Sequence, residues 1–123
     1  MRKVCNLAFS AGTVMAVLLG IGSASAQSSA GGWAIVAPDG TLGHNSNVNS
    51  VDHLSTGVYQ VNFNNAVGAC AADATIAGRG KKSVVPGYIV VGSGQKDNSI
   101  LVHTFLTATL IPADFRFHMI VAC

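Results

Sequence analysis

Apolar and polar side chains alternate with a period of two along residues 115–123, which end the chain. The side chains on the apolar side are Phe115, Phe117, Met119, Val121 and Cys123. Successive side chains of an extended strand point to opposite faces, so this alternation predicts a strand with one face in the core. A cysteine on that face would fray with the chain end unless it were tied down. We therefore expect Cys123 to be covalently bonded.

Residues 58–64 alternate in the same way. Tyr59, Val61 and Phe63 share one side, and polar side chains occupy the other. The pattern predicts a strand with one face toward the core and one face toward water. Shorter strand patterns occur at residues 33–37, in the latter part of 43–50, at 88–91 and at 100–105. Residues 88–91 are apolar on both sides, which is typical of a central strand.

The alanine-rich segment at residues 67–77 fits two patterns. A helical period and a period of two each align small apolar side chains, and both sets include Cys70 and Ala74. Alanine favours a helix, whereas Thr75 and Ile76 favour a strand. We predict a strand, with a helix as the alternative. Strand signals then recur about every 8–14 residues, which predicts an all-β fold, an antiparallel sandwich or small barrel of about seven short strands.

The first 26 residues have the features of a secretory signal peptide. Two cationic residues precede an apolar run at residues 7–21, and a small-residue cleavage site ends at Ala26. The alternative is a membrane anchor that stays attached, but the run is short for a span of roughly 20 residues. We expect a flexible tail at residues 27–32 and a single β domain at 33–123. The mature protein is then secreted or periplasmic, with no stable membrane insertion.

The charged residues limit the possible partners. The chain carries seven lysines and arginines against five acidic residues, a formal charge of +2, and Arg2 and Lys3 leave with the signal peptide. The mature domain is then close to neutral and has no strong field to steer it to a polyanion. We therefore expect no nucleic-acid partner.

Two cysteines, Cys70 and Cys123, remain after cleavage, because Cys5 leaves with the signal peptide. In an exported protein such a pair indicates a disulfide before it indicates a metal site. Two free buried thiols are the alternative. We predict a structural Cys70–Cys123 bridge, which in the chain-entropy model stabilises the domain by about 4 kcal/mol.

Candidate catalytic and metal-binding side chains match no established motif. No Gly-x-Ser-x-Gly sequence is present. His103 and His118 fall on predicted strands that could be neighbours, but their spacing is not that of a metal site. The segment with Arg79, Lys81 and Lys82 resembles the end of a phosphate-binding loop, without the first glycine or the helix that such a loop requires. We expect no cofactor and no catalytic site, and we keep this segment as the candidate binding loop.

The aromatic side chains, Trp33 and Tyr88 among them, all fall on predicted strands. Packing in the core is the default for aromatic residues in such positions. The alternative is a sugar-binding platform, which would need two or three of the rings exposed together.

Four stretches carry a resemblance to a known family. They are residues 54–63 (Leu-Ser-Thr-Gly-Val-Tyr-Gln-Val-Asn-Phe), 68–76 with Gly-Ala-Cys-Ala and Ala-Thr-Ile, 86–91 (Pro-Gly-Tyr-Ile-Val-Val) and 115–123. In these stretches the chain resembles uncharacterised small exported bacterial β domains, over roughly residues 33–123. The resemblance implies an all-β fold in which the two cysteines face each other, and it implies no activity. The basic residues at 79–82 depart from the family pattern.

These observations favour an exported, non-enzymatic module that binds or assembles through surface loops, chiefly residues 78–87 and 92–99. The ligand or protein partner is left open. One alternative is an oligomeric structural subunit of a cell-surface or fibre-like assembly, because small β domains associate through edge strands or apolar sheet faces. Another is a small secreted enzyme or enzyme inhibitor with a histidine-based site.

Overall fold

The computed structural model describes residues 31–78 and 86–123, and in this part the chain forms eight β-strands and no helix. The strands are β1 (Gly32–Val36), β2 (Leu42–Ser46), β3 (Val48–Ser55), β4 (Val58–Phe63), β5 (Ala71–Ile76), β6 (Gly87–Ser93), β7 (Ser99–Leu106) and β8 (Phe117–Ala122). The all-β prediction is therefore confirmed. No helix within these residues is long and apolar enough to cross a membrane.

The strands pair into two four-stranded sheets in which every neighbouring pair is antiparallel. The first sheet has the order β2-β1-β8-β5, and the second has the order β3-β4-β7-β6. Each sheet has one apolar face, and the two faces pack against each other as a sandwich. The sheets do not close into a barrel, so the sandwich is the correct form of the prediction.

The core lies between the sheets and is built by every second residue of the central strands. Tyr59, Val61 and Phe63 of β4 are buried, as their alternation predicts, and so are Phe117 and Met119 of β8. The remaining core residues are Ala34, Val36, Val48, Val67, Ile100, Val102 and Val121. Full burial of a large apolar side chain contributes roughly 1.5–3 kcal/mol, so this layer is the main source of stability.

The alanine-rich segment is a strand, as predicted. β5 pairs with β8 along its whole length, from Ala71 opposite Ala122 to Ile76 opposite Phe117. Its small inward side chains, such as Ala74, pack against the core. Pairing with a central strand therefore outweighs the helix preference of alanine.

The latter part of the polar stretch at residues 43–50 begins the edge strand β3, as predicted, and its first part belongs to a second edge strand, β2, that the pattern does not predict. β2 ends at Ser46 and β3 begins at Val48, and Asn47 between them has a φ of 62°. Asparagine tolerates this left-handed conformation better than most residues. At Asn47 the chain leaves the first sheet and enters the second.

The expectation that residues 88–91 form a central strand is wrong. β6 is an edge strand that pairs with β7. Its two apolar faces have different surroundings, because Ile89 and Val91 pack against the core, whereas Tyr88 and Val90 face outward and are 53% and 56% exposed. The apolar pattern on both sides of β6 therefore reflects a core face and an exposed apolar face.

Cys70 and Cys123 form the predicted disulfide, with their Cα atoms 4.3 Å apart. Cys70 directly precedes β5 and Cys123 directly follows β8, so the bridge joins the adjoining ends of two paired strands. Its sequence separation of 53 residues makes it a strong restriction on the unfolded chain.

Candidate functional site

A polar network around Asp114 joins three connections between strands. Asp114 Oδ1 accepts a hydrogen bond from the Gly57 N–H at 2.6 Å and lies 2.9 Å from His53 Nε2. The Tyr59 hydroxyl lies 2.7 Å from the Pro38 carbonyl oxygen and 3.2 Å from the same Asp114 oxygen. The rings of Tyr59 and His53 are stacked, with centroids 4.8 Å apart. The network thus ties together the β1–β2, β3–β4 and β7–β8 connections.

The network also sets the protonation of its acidic groups. Partial burial by itself raises the pKa of Asp114, but the Gly57 N–H and the His53 ring outweigh it and hold that pKa below its usual value. Burial raises the pKa of Tyr59 far above its usual value, and the charge of Asp114 adds to this effect. At neutral pH the Tyr59 hydroxyl is therefore protonated and donates hydrogen bonds, and the Asp114 carboxylate is charged and accepts them.

The His53–Asp114 pair has the geometry of two members of a catalytic triad, but its surroundings are structural. In the described part of the chain, no serine or cysteine side chain hydrogen-bonds to the His53 ring. Tyr59 is fully buried and packs edge-on against Phe117, with centroids 5.1 Å apart. The arrangement fixes the connections and presents no nucleophile beside the histidine.

The other candidate residues do not converge. His103 lies on β7 in the second sheet and His118 lies on β8 in the first, so their strands are not neighbours, and their outward faces are on opposite sides of the sandwich. Within residues described by the structure, no three His, Cys, Asp or Glu side chains are grouped so that they could hold a metal. The predicted binding loop with Arg79, Lys81 and Lys82 lies outside the described residues.

The outward face of the first sheet carries a shallow groove of about 260 Å³. Trp33 and Ile120 lie opposite each other and are 43% and 58% exposed, so the expectation that Trp33 packs in the core is wrong. Asp73 lies beside Ile120 on the next strand, and His118 also lines the groove. Charged or titratable side chains therefore interrupt the apolar ones on this face.

The outward face of the second sheet has two halves of different chemistry. In the half formed by β3 and β4, the Gln60 amide donates to Asn62 Oδ1 at 3.2 Å, and the Asn62 amide donates to Ser50 Oγ and Asp52 Oδ2 at 3.0 and 2.9 Å. Gln60 and Asn62 are buried although they face away from the core. Gln60 Oε1 has no hydrogen-bond partner among the described residues. This half is polar, and its groups mostly satisfy one another.

The half formed by β6 and β7 is mainly apolar, with His103 opposite Val90, and it extends over the β7–β8 connection. Tyr88, Val90, Phe105 and Leu110 line an open groove of about 300 Å³, and we call these four residues the apolar patch. Tyr88 and Phe105 are cross-strand partners, and Val90 lies next to them on β6. None of the four side chains is charged, so the patch is the apolar counterpart of the polar half beside it.

Leu110 is held in the patch by a strained backbone. Its φ is 53°, in the left-handed region that bulky side chains rarely adopt. Its N–H donates to the Leu106 carbonyl at 3.0 Å, and the Leu106 N–H donates to the Ile111 carbonyl at the same distance. These bonds fix the turn and leave Leu110 61% exposed. Strain of this kind persists only where the surroundings enforce it, and it clusters at functional sites.

Comparison of the chain with protein-family models, with curated proteins and with solved structures gave no match. The resemblance to small exported β domains therefore stays a prediction. The assignment of a functional site rests on the geometry of the described residues, and the apolar patch is the strongest candidate among them.

The apolar patch escapes prediction from the sequence for two reasons. Residues 88–91 have the pattern of a buried central strand, and residues 106–114 have that of a simple connection. One signal was available, because Leu110 and Ile111 are apolar in a turn between strands, where polar residues are usual. That signal does not by itself say which strand the turn lies against.

Proposed function

We propose that this protein is an exported, non-enzymatic binding module that recognises a protein partner through the apolar patch. The observation that carries the proposal is the joint exposure of Tyr88, Val90 and Leu110 around one apolar groove. Exposed apolar groups that lie together cost hydration free energy, which a partner recovers when it covers them. Contiguous patches of this kind on small proteins commonly mark interaction sites.

The rigidity of the patch supports the same proposal. Tyr88, Val90 and Phe105 lie on paired strands, and the turn hydrogen bonds hold Leu110 in place. A surface that is already ordered loses little conformational entropy on binding, so more of the contact free energy appears as affinity. The strain at Leu110 has a use in this arrangement, because it keeps an apolar side chain over the groove.

The chemistry of the groove favours a protein over a small molecule. Sites for small ligands combine an apolar cavity with several polar groups that orient the ligand. Here the Tyr88 hydroxyl is the one polar side-chain group among the four lining residues. The core of a protein–protein interface has this composition, with aromatic residues enriched and charged residues depleted.

The disulfide supports the exported location, because such bonds persist in oxidising compartments. Together with the predicted signal peptide, it favours a partner outside the cytoplasm. The proposed recognition surface is thus a sheet face, whereas the sequence indicated the loops at residues 78–87 and 92–99.

Substitution of Leu110 tests the proposal. The full chain with a C-terminal affinity tag is expressed in the producing cells as wild type, Leu110→Lys and Ile120→Lys, and proteins retained after reversible crosslinking are quantified. Ile120 is the matched control, because it is also exposed and lies on the first sheet. We expect one partner that wild type and Ile120→Lys retain and Leu110→Lys loses. Equal retention by all three proteins would contradict the proposal.

A further inference from the structure

The edge strand β6 combines an apolar sequence with the lack of any charge, whereas the edge strand β2, which is also uncharged, is mostly polar. Its seven residues, Gly-Tyr-Ile-Val-Val-Gly-Ser, include no charge and no proline. The edge strands β3 and β5 carry Asp52 and Asp73, which are the kind of residue that opposes pairing with another chain. An edge strand presents a row of unpaired N–H and C=O groups, so β6 is open to pairing with a further strand.

The neighbouring edge strand of the other sheet does not bond to the free backbone groups of β6. β5 and β6 belong to different sheets, and the backbone hydrogen bonds between described residues include none that joins them. The side chain of Ile76 comes close to Gly87 at one end of β6, whereas the space above Gly92 at the other end is open to 4 Å. A shallow gap of about 190 Å³ opens between the two strands near Gly92. The contact at Gly87 lies on the core-facing side of β6 and the open space at Gly92 on its outward side, and no backbone hydrogen bond between described residues occupies the free edge of β6.

The sequence of β6 is complementary to itself in one antiparallel register. Val90 is the middle residue of Gly87–Ser93, so the register centred on Val90 is the one that pairs all seven residues of two copies. Tyr88 of one copy then lies opposite Gly92 of the other on the outward face, and the relation holds in both directions. A glycine opposite an aromatic residue leaves room for the ring to lie across the neighbouring strand. The ring would extend toward Leu101, which pairs with Gly92 on β7.

We infer that two copies of this chain associate through antiparallel pairing of β6 with β6, with Val90 on the two-fold axis. The second sheets of the two copies join into one eight-stranded sheet. Such an interface is isologous and closed, because the same surface of each copy is used once. This inference goes beyond the proposed function, since it uses the backbone edge of β6. The dimer shares Tyr88 and Val90 with the apolar patch, whereas Leu110 belongs to the patch alone.

The size of the interface predicts a weak dimer. Tyr88 and Val90 are each about half exposed, and with one strand edge they bury roughly 800–1,000 Å² in total over both copies, below the 1,200–2,000 Å² of stable complexes. The dimer is therefore expected to dissociate in the micromolar range or above, and to exchange rapidly.

Sedimentation velocity of the oxidised mature protein, from about 1 μM to about 1 mM, measures the association directly. We expect the sedimentation coefficient of wild type to rise with concentration. Val90→Lys places two like charges on the axis and should weaken the dimer about tenfold or more. Ile120→Lys adds the same charge at an equally exposed position on the first sheet, and should behave as wild type.

Introduced thiols test the register. Directly opposite residues of an antiparallel pair have Cα atoms about 4.5–5.5 Å apart, within the range that a disulfide spans. Under mild oxidation Val90→Cys should form a covalent dimer with itself, and Tyr88→Cys should couple to Gly92→Cys when the two variants are mixed. Ile120→Cys is the control, and peptide mapping verifies that the native disulfide is intact.

A wild-type protein that stays monomeric over the whole range would overturn the dimer, and so would equal crosslinking of Val90→Cys and Ile120→Cys. If the wild type is monomeric while Leu110→Lys still loses its partner, the dimer is wrong and the proposed function stands. If wild type dimerises and Leu110→Lys retains every partner, the dimer stands and the proposed function is wrong.

Discussion

The connection between β7 and β8 contributes Asp114 to a hydrogen-bonded network and Leu110 to the apolar patch. Asp114 bonds to groups of β3, β4 and the connection between them, namely His53, Tyr59 and Gly57. Leu110 is 61% exposed and sits in a strained conformation. One short connection thus contains Asp114, whose hydrogen bonds stabilise the fold, and Leu110, whose backbone the fold holds in an unfavourable conformation.

The difference between these two residues separates stability from recognition. A change at Asp114 should alter the free energy of unfolding, because buried partners lose their hydrogen bonds. A change at Leu110 should leave that free energy nearly unchanged and should alter binding, because the side chain contributes little to the core. The expected effects below follow this division from the largest to the smallest.

The largest loss of stability is expected from removal of the disulfide. Cys70→Ser removes the restriction on the unfolded chain and should lower the free energy of unfolding by about 2–5 kcal/mol. Guanidinium denaturation of the purified protein measures this loss, and the double variant Cys70→Ser with Cys123→Ser should show a similar one. An unchanged midpoint would mean that the bridge contributes nothing to the fold.

Removal of the Asp114 carboxylate should have the next largest effect. Asp114→Ala leaves the Gly57 N–H without its acceptor and removes one of the two acceptors of the Tyr59 hydroxyl. We expect a loss of about 1–3 kcal/mol in the free energy of unfolding. The lower part of that range applies because about a third of the side chain, 34%, is exposed. Asp73→Ala, at an exposed position of β5, is the control and should stay within about 0.5 kcal/mol of wild type. Equal losses in both variants would show that the Asp114 carboxylate contributes no more to stability than an exposed aspartate does.

Acidification should weaken the network without any substitution. The pKa of Asp114 is lower in the folded protein than in the unfolded chain, so its contribution is complete above the unfolded pKa of about 3.9 and is lost as pH falls through the folded value. Denaturation between about pH 6 and pH 2 should therefore show a steeper loss for wild type than for Asp114→Asn. Asp39, whose pKa is lowered by the Thr41 N–H, is present in both proteins and cancels in the comparison. Parallel pH profiles would count against this role of Asp114.

The smallest effect on stability is expected at Leu110. Leu110→Gly relieves the left-handed strain but frees the unfolded chain, so the free energy of unfolding should rise by no more than about 1 kcal/mol. Partner retention should fall, because the apolar side chain is gone. A protein that is as stable as wild type and binds less well would show that Leu110, unlike Asp114, serves binding and not stability. A loss of stability above about 1 kcal/mol would instead assign Leu110 to the fold.

The core and the bridge could be predicted from the sequence because they depend on local alternation and on cysteine number. The period of two in β4 and β8 identifies the residues that are buried, and Cys70 and Cys123 are the two cysteines left in the predicted mature chain. These signals do not depend on the order of the strands.

The functional face could not be predicted, because strand order decides which apolar residues are covered. Tyr88 and Val90 would be buried if β6 were central, and they are exposed because β6 is an edge. The Asp114 network was missed for a similar reason. His53 and Asp114 are 61 residues apart in sequence, and only the sandwich brings them to 2.9 Å.

Site-specific photocrosslinking from Leu110 tests whether the apolar patch is a recognition surface. A benzophenone amino acid is placed at Leu110 or, as the control, at Ile120, and the producing cells are irradiated. If the apolar patch is a recognition surface, position 110 should give an adduct with one partner protein and position 120 should give none. No adduct at Leu110, or the same adduct from both positions, would contradict it.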